Sequence, residues 1–490
     1  VAPSRGLGDV YKRQVYDWTA STSDYDEKMS LCIGSNTIPE IMNVNATQYR
    51  ALLKYDMIQP LDKYFDDYAS DALKSYVKSG GEELQKCITN EDGELMAIPA
   101  PNLTAGGVNE MWIRQDWLDA LGLDVPRTWD ELAEVAKAFV TRDPDGNGEN
   151  DTIGILGPGN SDHMNAVGGN QFGLDPLFSC FQSYPQYWLK SEDGSVEYGS
   201  IQPETKTALE NISKLYADGV IDPETLVRSD SKEPLLAGKV GIFFGPWWCA
   251  YTFADTTLSG SADWRAYFTP LSEDGKYYTH MAEPTTQYVV ASKDCKNPEA
   301  AFKIINYIVA NEQKWVEEGV TSTEMGTGDF YPLYNTYDNA DEIEKSYEAL
   351  TKYLAGDISM DDVDFSTHKL LKNDMEAVTK LKKKPYDDFS LKYWNLDSDL
   401  AKTNLPRLVA IMVGDAPLVN EEYVPVYNAY NGQTETMEAK WANLKKMEEE
   451  TFAKIIMGKA DISEFDTFVK NWKNQGGDQI LKEINDELSK

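Results

Sequence analysis

Short apolar segments of four or five residues recur along this chain, and amphipathic helices lie between them. The segments stand at 111–114, 152–156, 240–244 and 287–291, each bounded by turn or polar residues. They are too short for buried helices and read as strands. The clearest helix covers 126–142: Thr128 and Glu131 make a capping box, and Leu132, Val135, Ala136, Phe139 and Val140 fall on one face. A second follows Asn297 and Pro298, with Ala301, Ile305, Ile308 and Val309 on one face and the proline in the first turn, where its missing N–H is tolerated. This alternation predicts an α/β fold. From 341 onward the pattern is almost entirely helical. Met437, Trp441, Leu444, Phe452, Ile455 and Ile456 mark one long helix, and Phe465, Phe468, Val469 and Trp472 mark the next. Gly476-Gly477 then breaks the chain before a short terminal helix.

At 490 residues the chain is long enough for roughly two to four folding units. Hydrophobic residues make up 41% of it, which excludes wholesale disorder. Basic residues number 46 against 81 acidic ones, for a net charge of −35. That balance argues against nucleic acid, whose phosphates need concentrated Lys and Arg, and against anionic lipid. It suits a soluble protein with a solvated acidic surface, or a neutral or cationic ligand. Cys32, Cys87, Cys180, Cys249 and Cys295 are widely and irregularly spaced, without a CxxC pair. They read as small buried hydrophobes rather than a zinc site or a disulfide framework, although one bridge is open. No apolar run reaches the roughly 18 residues of a membrane span. No signal peptide is visible. Residues 1–14 are basic in an acidic protein and read as non-native, with the true N-terminus missing or replaced.

Two local motifs carry chemistry. Asp143-Pro-Asp145-Gly-Asn147-Gly-Glu149-Asn-Asp151 matches the opening of a calcium loop, in which alternate oxygens converge on a hard cation. Asp143, Asp145, Asn147 and Asp151 would supply side chains and Glu149 its backbone carbonyl. The twelfth position holds Gly154 in place of a bidentate glutamate. The plainer reading is an acidic surface turn. The second motif is Gly245-Pro246-Trp247-Trp248, directly after an apolar strand. Flat aromatics cover the C–H faces of sugar rings while polar side chains bond the hydroxyl rim. If the segment is extended, Trp247 and Trp248 point to opposite sides. Burial of one or both indoles in a core is the alternative. No HExxH, GxSxG, Walker A or GxGxxG motif occurs, and the three histidines are far apart. No catalytic cofactor is implied.

In this order, VPRTWDELAEVAKAF, LAGKVGIFFGPWW and NPEAAFKIINYIV resemble the bacterial extracellular solute-binding proteins of the maltose-binding-like class. GSNTIPEIM, NEMWIRQDWLDALGL, DPDGNGENDTIGI and the tail from KIIMGKADISEF to the end extend the resemblance to a larger lipoprotein subgroup, over residues 15–490. The resemblance implies two α/β lobes of periplasmic-binding-protein type with crossing strands near 103–111, 280–288 and 325–340. One lobe would hold 15–106 plus 287–330, and the other 107–286 plus 331–490. It implies an interlobe ligand site with Trp247 from the GPW motif, Trp248 beside it, Asn109, Glu283 and Gln287 from the crossings, Asn43 and Asn45 from the loop after IPEIM, and Trp18 from the first loop. The family's first strand is expected to be lost here, and its lipidated N-terminal cysteine has no equivalent. The function implied is capture of a solute, an oligosaccharide by the aromatic motif, by a monomer outside the cytoplasmic membrane that delivers it to ABC importer permeases. The competing class is a glycoside hydrolase with paired carboxylates. A sensory role that presents bound sugar to a partner is the third.

Overall fold

The computed structural model describes residues 22–159, 169–317, 333, 335, 337–365, 368 and 370–489. The chain forms two compact units, each built from separated stretches. The first takes Val1–Asn102, Pro284–Ala340 and Ser366–Lys369; the second takes Leu103–Glu283, Asp341–Phe365 and Leu370–Lys490. The strands are β1 (Ile41–Asn45), β2 (Ile98–Pro101), β3 (Glu110–Arg114), β4 (Ile153–Leu156), β5 (Trp188–Lys190), β6 (Val196–Tyr198), β7 (Val240–Gly245), β8 (Trp264–Tyr267), β9 (Tyr277–His280), β10 (Thr285–Ala291) and β11 (Tyr423–Val426).

In the first unit β10 lies between β1 and β2, antiparallel to both. The register sets Asn45 opposite Gln287 and Asn43 opposite Val289. β2 reads Ile-Pro-Ala-Pro, and its prolines are tolerated because the strand is at the sheet edge. Tyr49, from the helix Ala46–Lys54, stacks on Tyr288 with ring centroids 4.3 Å apart. Leu52, Leu73, Leu84, Ile98, Val289 and Phe302 complete a dry core.

The second unit is organised on a sheet of order β4-β7-β3-β8. β4 runs parallel to β7, while β3 is antiparallel to β7 and β8. β7 is buried along its whole length, which is why its sequence is a continuous apolar run instead of an alternation. Met111, Ile113, Ile242 and Phe244 face one layer, formed by the helix Trp129–Thr141 and the C-terminal helices Glu435–Ile456 and Glu464–Trp472. Trp112 and Phe243 face the other, where the helices Ala250–Leu258, Glu342–Ala355, Leu371–Leu381 and Asp399–Val409 pack.

The helix expected at 126–142 is Trp129–Thr141, and Thr128 and Glu131 form both bonds of the capping box. The helix after Pro298 spans Glu299–Glu317. The region from 341 is not wholly helical: β11 pairs in parallel with β9, across 146 residues of sequence at Tyr277 and Tyr423. Val424 and Val426 alternate too briefly for a strand to be read locally. Gly476 does interrupt the terminal helices, with φ of 140° inside the turn Lys473–Gly477. All five cysteines are free thiols, four of them buried. No described helix is long and apolar enough to cross a membrane.

Candidate functional site

β3 opens on Glu110, whose register partner is Gly245 at the end of β7. Residues 246–249 then leave the sheet. Pro246 is extended, but Trp247–Cys249 is a single 3-10 turn. The extended geometry expected for the two tryptophans is therefore absent, and so is the basis for sending their rings to opposite sides. Trp247 is 5% exposed and lies in the apolar layer with Trp112, Cys249 and Phe253. Trp248 is half-buried and packs against the same layer. The indole N–H of Trp247 has no hydrogen-bond partner among the described residues.

A second element closes over these strand ends. The helix Asp399–Val409 runs into a π-type turn, Ala410–Gly414, a wide turn often found where function demands an unusual side-chain position. Gly414 is obligatory there: a Cβ would come within 2.8 Å of the Trp247 carbonyl oxygen and 2.9 Å of the Trp112 ring. Asp415 follows at once and is fully buried.

Glu110 and Asp415 thus come together, and among the described residues both oxygens of each lack a hydrogen-bond partner. Burial holds the Glu110 carboxyl protonated well above the carboxylate range, and the charges of Asp415 and then Glu421 push the same way. Burial likewise raises Asp415, with Glu344 adding to it. Glu344, in the first turn of the helix Glu342–Ala355, is itself raised by burial, although it receives the Ala105 backbone N–H. Neutral carboxyls beside aromatic rings offer both donors and acceptors to a polyhydroxyl ligand.

Asn109, one residue before Glu110, is turned into the fold. Its amide donates to Asp175 Oδ1 at 2.5 Å and to the Asn170 carbonyl at 3.0 Å, and it accepts from the Gly169 N–H at 3.2 Å. Asp175 and His280 are both fully buried, 4.0 Å apart. Burial lifts Asp175 to about 8 and lowers His280 to about 3. The rings of Tyr184 and Tyr187 flank His280 edge-on. Glu283 is half-buried at the end of its stretch of the second unit.

In the first unit Asn43, Asn45 and Gln287 are half-buried on one face of the β1–β10 pair. Asn43 exchanges a bond with Asn335 at 3.1 Å. Asn45 caps the helix Ala46–Lys54 by accepting from the Gln48 N–H and donates to Asp26. Its side chain is thus already committed. Trp18 lies outside the described residues.

The acidic loop turns its oxygens onto its own backbone. Asp143 accepts from the N–H groups of Asn147 and Gly148, and Asn147 Oδ1 accepts from Glu149 N–H at 2.6 Å. Asn147 Nδ2 donates to Asp145 at 2.9 Å. Asp151 pairs with Lys239 at 2.8 Å, which depresses the carboxyl. Gly154 cannot supply a twelfth ligand, since a Cβ there would strike the carbonyls of Val220 and Ala136. Among the described residues no three His, Cys, Asp or Glu side chains converge as a metal site in this arrangement.

The family model for bacterial extracellular solute-binding proteins matches residues 15–315, more than half of the chain. The chain belongs to this family. FusA, a fructooligosaccharide ABC transporter substrate-binding protein of Streptococcus pneumoniae serotype 4, is 30% identical over 246 residues, 46% of this chain and 43% of FusA. The chain therefore spans less than half the length of that relative in the match. YtcQ of Bacillus subtilis, a polygalacturonan/rhamnogalacturonan-binding protein, is 24% identical over 469 residues, 94% of this chain and 82% of YtcQ. Among solved structures, a human-milk-oligosaccharide (HMO) binding solute-binding protein of Bifidobacterium longum infantis superposes with a TM-score of 0.60 at 17% identity, over 96% of this chain and 91% of that one. FusA with kestose gives 0.56 at 19%, over 96% and 92%. An EF-hand mutant of FusA with fructo-nystose gives 0.53 at 18%, over 96% and 92%. These likenesses establish the two-lobed solute-binding fold, mixed α and β.

Proposed function

We propose that this chain captures an oligosaccharide and passes it to the permeases of an ABC importer, acting as a monomer held outside the cytoplasmic membrane as a lipoprotein. The observation that carries the reading is the cluster at the ends of β3 and β7. It sets an indole with an unpartnered N–H beside two buried carboxyls whose oxygens find no donor among the described residues. Unpaired buried polar groups are costly, and a ligand that pairs them recovers that cost. Family membership and the named ligands of FusA and YtcQ support a carbohydrate. Isothermal titration across an oligosaccharide panel tests it: at least one member should bind and be recovered unchanged. Cleavage of the bound sugar would support the hydrolase reading, with Glu110 and Asp415 as the paired carboxylates. Failure of every glycan to bind would sink the carbohydrate reading.

The acidic loop is proposed to hold a structural calcium ion through Asp143, Asp145, Asn147, Asp151 and the Glu149 carbonyl, without catalytic duty. The donor set is all oxygen at alternate positions, as calcium requires. Occupation requires Asp151 to exchange Lys239 for the ion. Calcium should raise the melting temperature, and Asp145→Ala should abolish the rise. A melting temperature indifferent to calcium and to chelator would remove the ion from this account.

A further inference from the structure

The same cluster says what kind of sugar it accepts, an inference that rests on the carbohydrate reading above. Glu110 and Asp415 are fully buried, and none of their oxygens meets a hydrogen-bond donor among the described residues. The charged groups that act on Glu110 are Asp415 and Glu421, and the one that acts on Asp415 is Glu344; all are acids. Lys345, which acts on Glu344, is exposed and lies 3.6 Å from Glu348, and the arginines of the surrounding elements have acidic partners elsewhere. Arg127 pairs with Glu421, Arg265 on β8 with Asp263, and Arg407 of the helix leading into the π-type turn with Asp374. The cluster therefore has a surplus of acceptors and acid protons and no cation to offer.

We propose that this site selects uncharged, hydroxyl-rich glycans and excludes glycans carrying carboxylates, such as uronates. A sugar hydroxyl can donate to one acid oxygen and accept from another acid's proton, leaving no net charge buried. A ligand carboxylate would bring a buried charge into a site whose neutral acids supply no counter-ion, and burying an unpaired charge is far costlier than burying an unpaired hydroxyl. The chain's net charge of −35 also repels a polyanion at long range. The two named sugar-binding relatives divide on this chemistry, since polygalacturonan is a polyuronate and fructooligosaccharides are neutral. The acids here place this chain with the neutral class.

The test uses a matched pair. The tightest neutral oligosaccharide from a thermal-shift panel is titrated calorimetrically against the same oligosaccharide with its primary hydroxyls oxidised to carboxylates. The panel also contains oligogalacturonides and amino sugars. The oxidised form should bind at least about 100-fold more weakly. Oxidised and neutral forms binding alike, or a panel in which only oligogalacturonides or only amino sugars bind, overturns the inference while the carbohydrate reading stands. A panel with no binder overturns both. Glu344→Lys should narrow the gap to less than about tenfold by supplying the missing cation. A gap left unchanged in a folded variant assigns the discrimination to other residues and overturns the role given to these acids.

Discussion

Asn109 and Glu110 are consecutive residues, and the chain treats them in opposite ways. Asn109 spends its amide on Asp175 and on the backbone of residues 169 and 170, so one oxygen of a deeply buried acid receives its donor from inside the protein, while Asp175 Oδ2 has no hydrogen-bond partner among the described residues. Glu110, one residue on, enters the face of the sheet that carries Trp112 and receives no donor from the described residues. Both Asp175 and Glu110 are fully buried acids. A buried acid that the fold itself pairs is part of the fold's stability. One left unpaired lowers stability, a cost that a bound molecule pairing it would recover.

Four substitutions sharpen or break that contrast. Asn109→Ala should have the largest effect, a loss of about 3 kcal/mol in denaturant unfolding, because Asp175 and the Gly169 N–H lose their partner together. Ligand affinity of the folded protein should stay within about threefold. A ligand-binding defect with normal stability would reverse the assignment of Asn109 and Glu110. Glu110→Met should do the opposite: weaken binding by roughly 100-fold, or about 2.7 kcal/mol, while stability holds or rises by about 1 kcal/mol. A fall in stability would show that Glu110 is paired within the fold after all.

Asp175→Asn comes next and reads out in pH. The native acid titrates near 8 against an ordinary 3.8, so the native state holds its proton more tightly than the unfolded chain. Stability tied to that proton is present below pH 4 and is lost as pH rises toward 8. Asparagine has no such proton, so the variant's melting temperature should stop falling across that interval. His280, lowered to about 3 from 6.5, works on the acid side, and its loss of stability as pH drops below 6.5 should remain. An unchanged alkaline slope would mean that Asp175 does not set it. The smallest change is Trp247→Phe, which keeps a ring and removes the N–H. Binding should weaken about fivefold, the worth of one hydrogen bond, with little change in melting temperature. No loss at all would mean that the indole N–H never meets the ligand.

Much of the frame was legible because it is local. Thr128 and Glu131 declare a helix start within four residues, and the apolar run of β7 declares a strand buried on both faces. The proposed site was half legible. Pro246-Trp247 was found because it sits at a strand end, but the 3-10 turn that orients Trp247 depends on packing that the sequence does not show. Asn109 was singled out where Glu110 carries the contrast, because period-two alternation fixes that neighbours differ and not which of them faces which layer. A polar residue opening an otherwise apolar strand was the available signal for Glu110. Asp415 offered one too, an acid directly after the apolar run Ile411-Met412-Val413 and a glycine. What joins it to Glu110 is some 300 residues of intervening chain, and no local pattern reports that.

β10 stands between β1 and β2 in the first unit, yet it follows β2 by 184 residues, from Pro101 to Thr285. During synthesis at roughly 5–20 residues per second, the two outer strands leave the ribosome many seconds before the strand that will separate them. Until then their backbone edges are open and Tyr49 lacks the ring it stacks on. A nascent chain that ends before residue 285 therefore offers two short unpaired edges to any chaperone or neighbouring chain, and export or truncation is safest either well before this sheet is begun or after its middle strand has arrived.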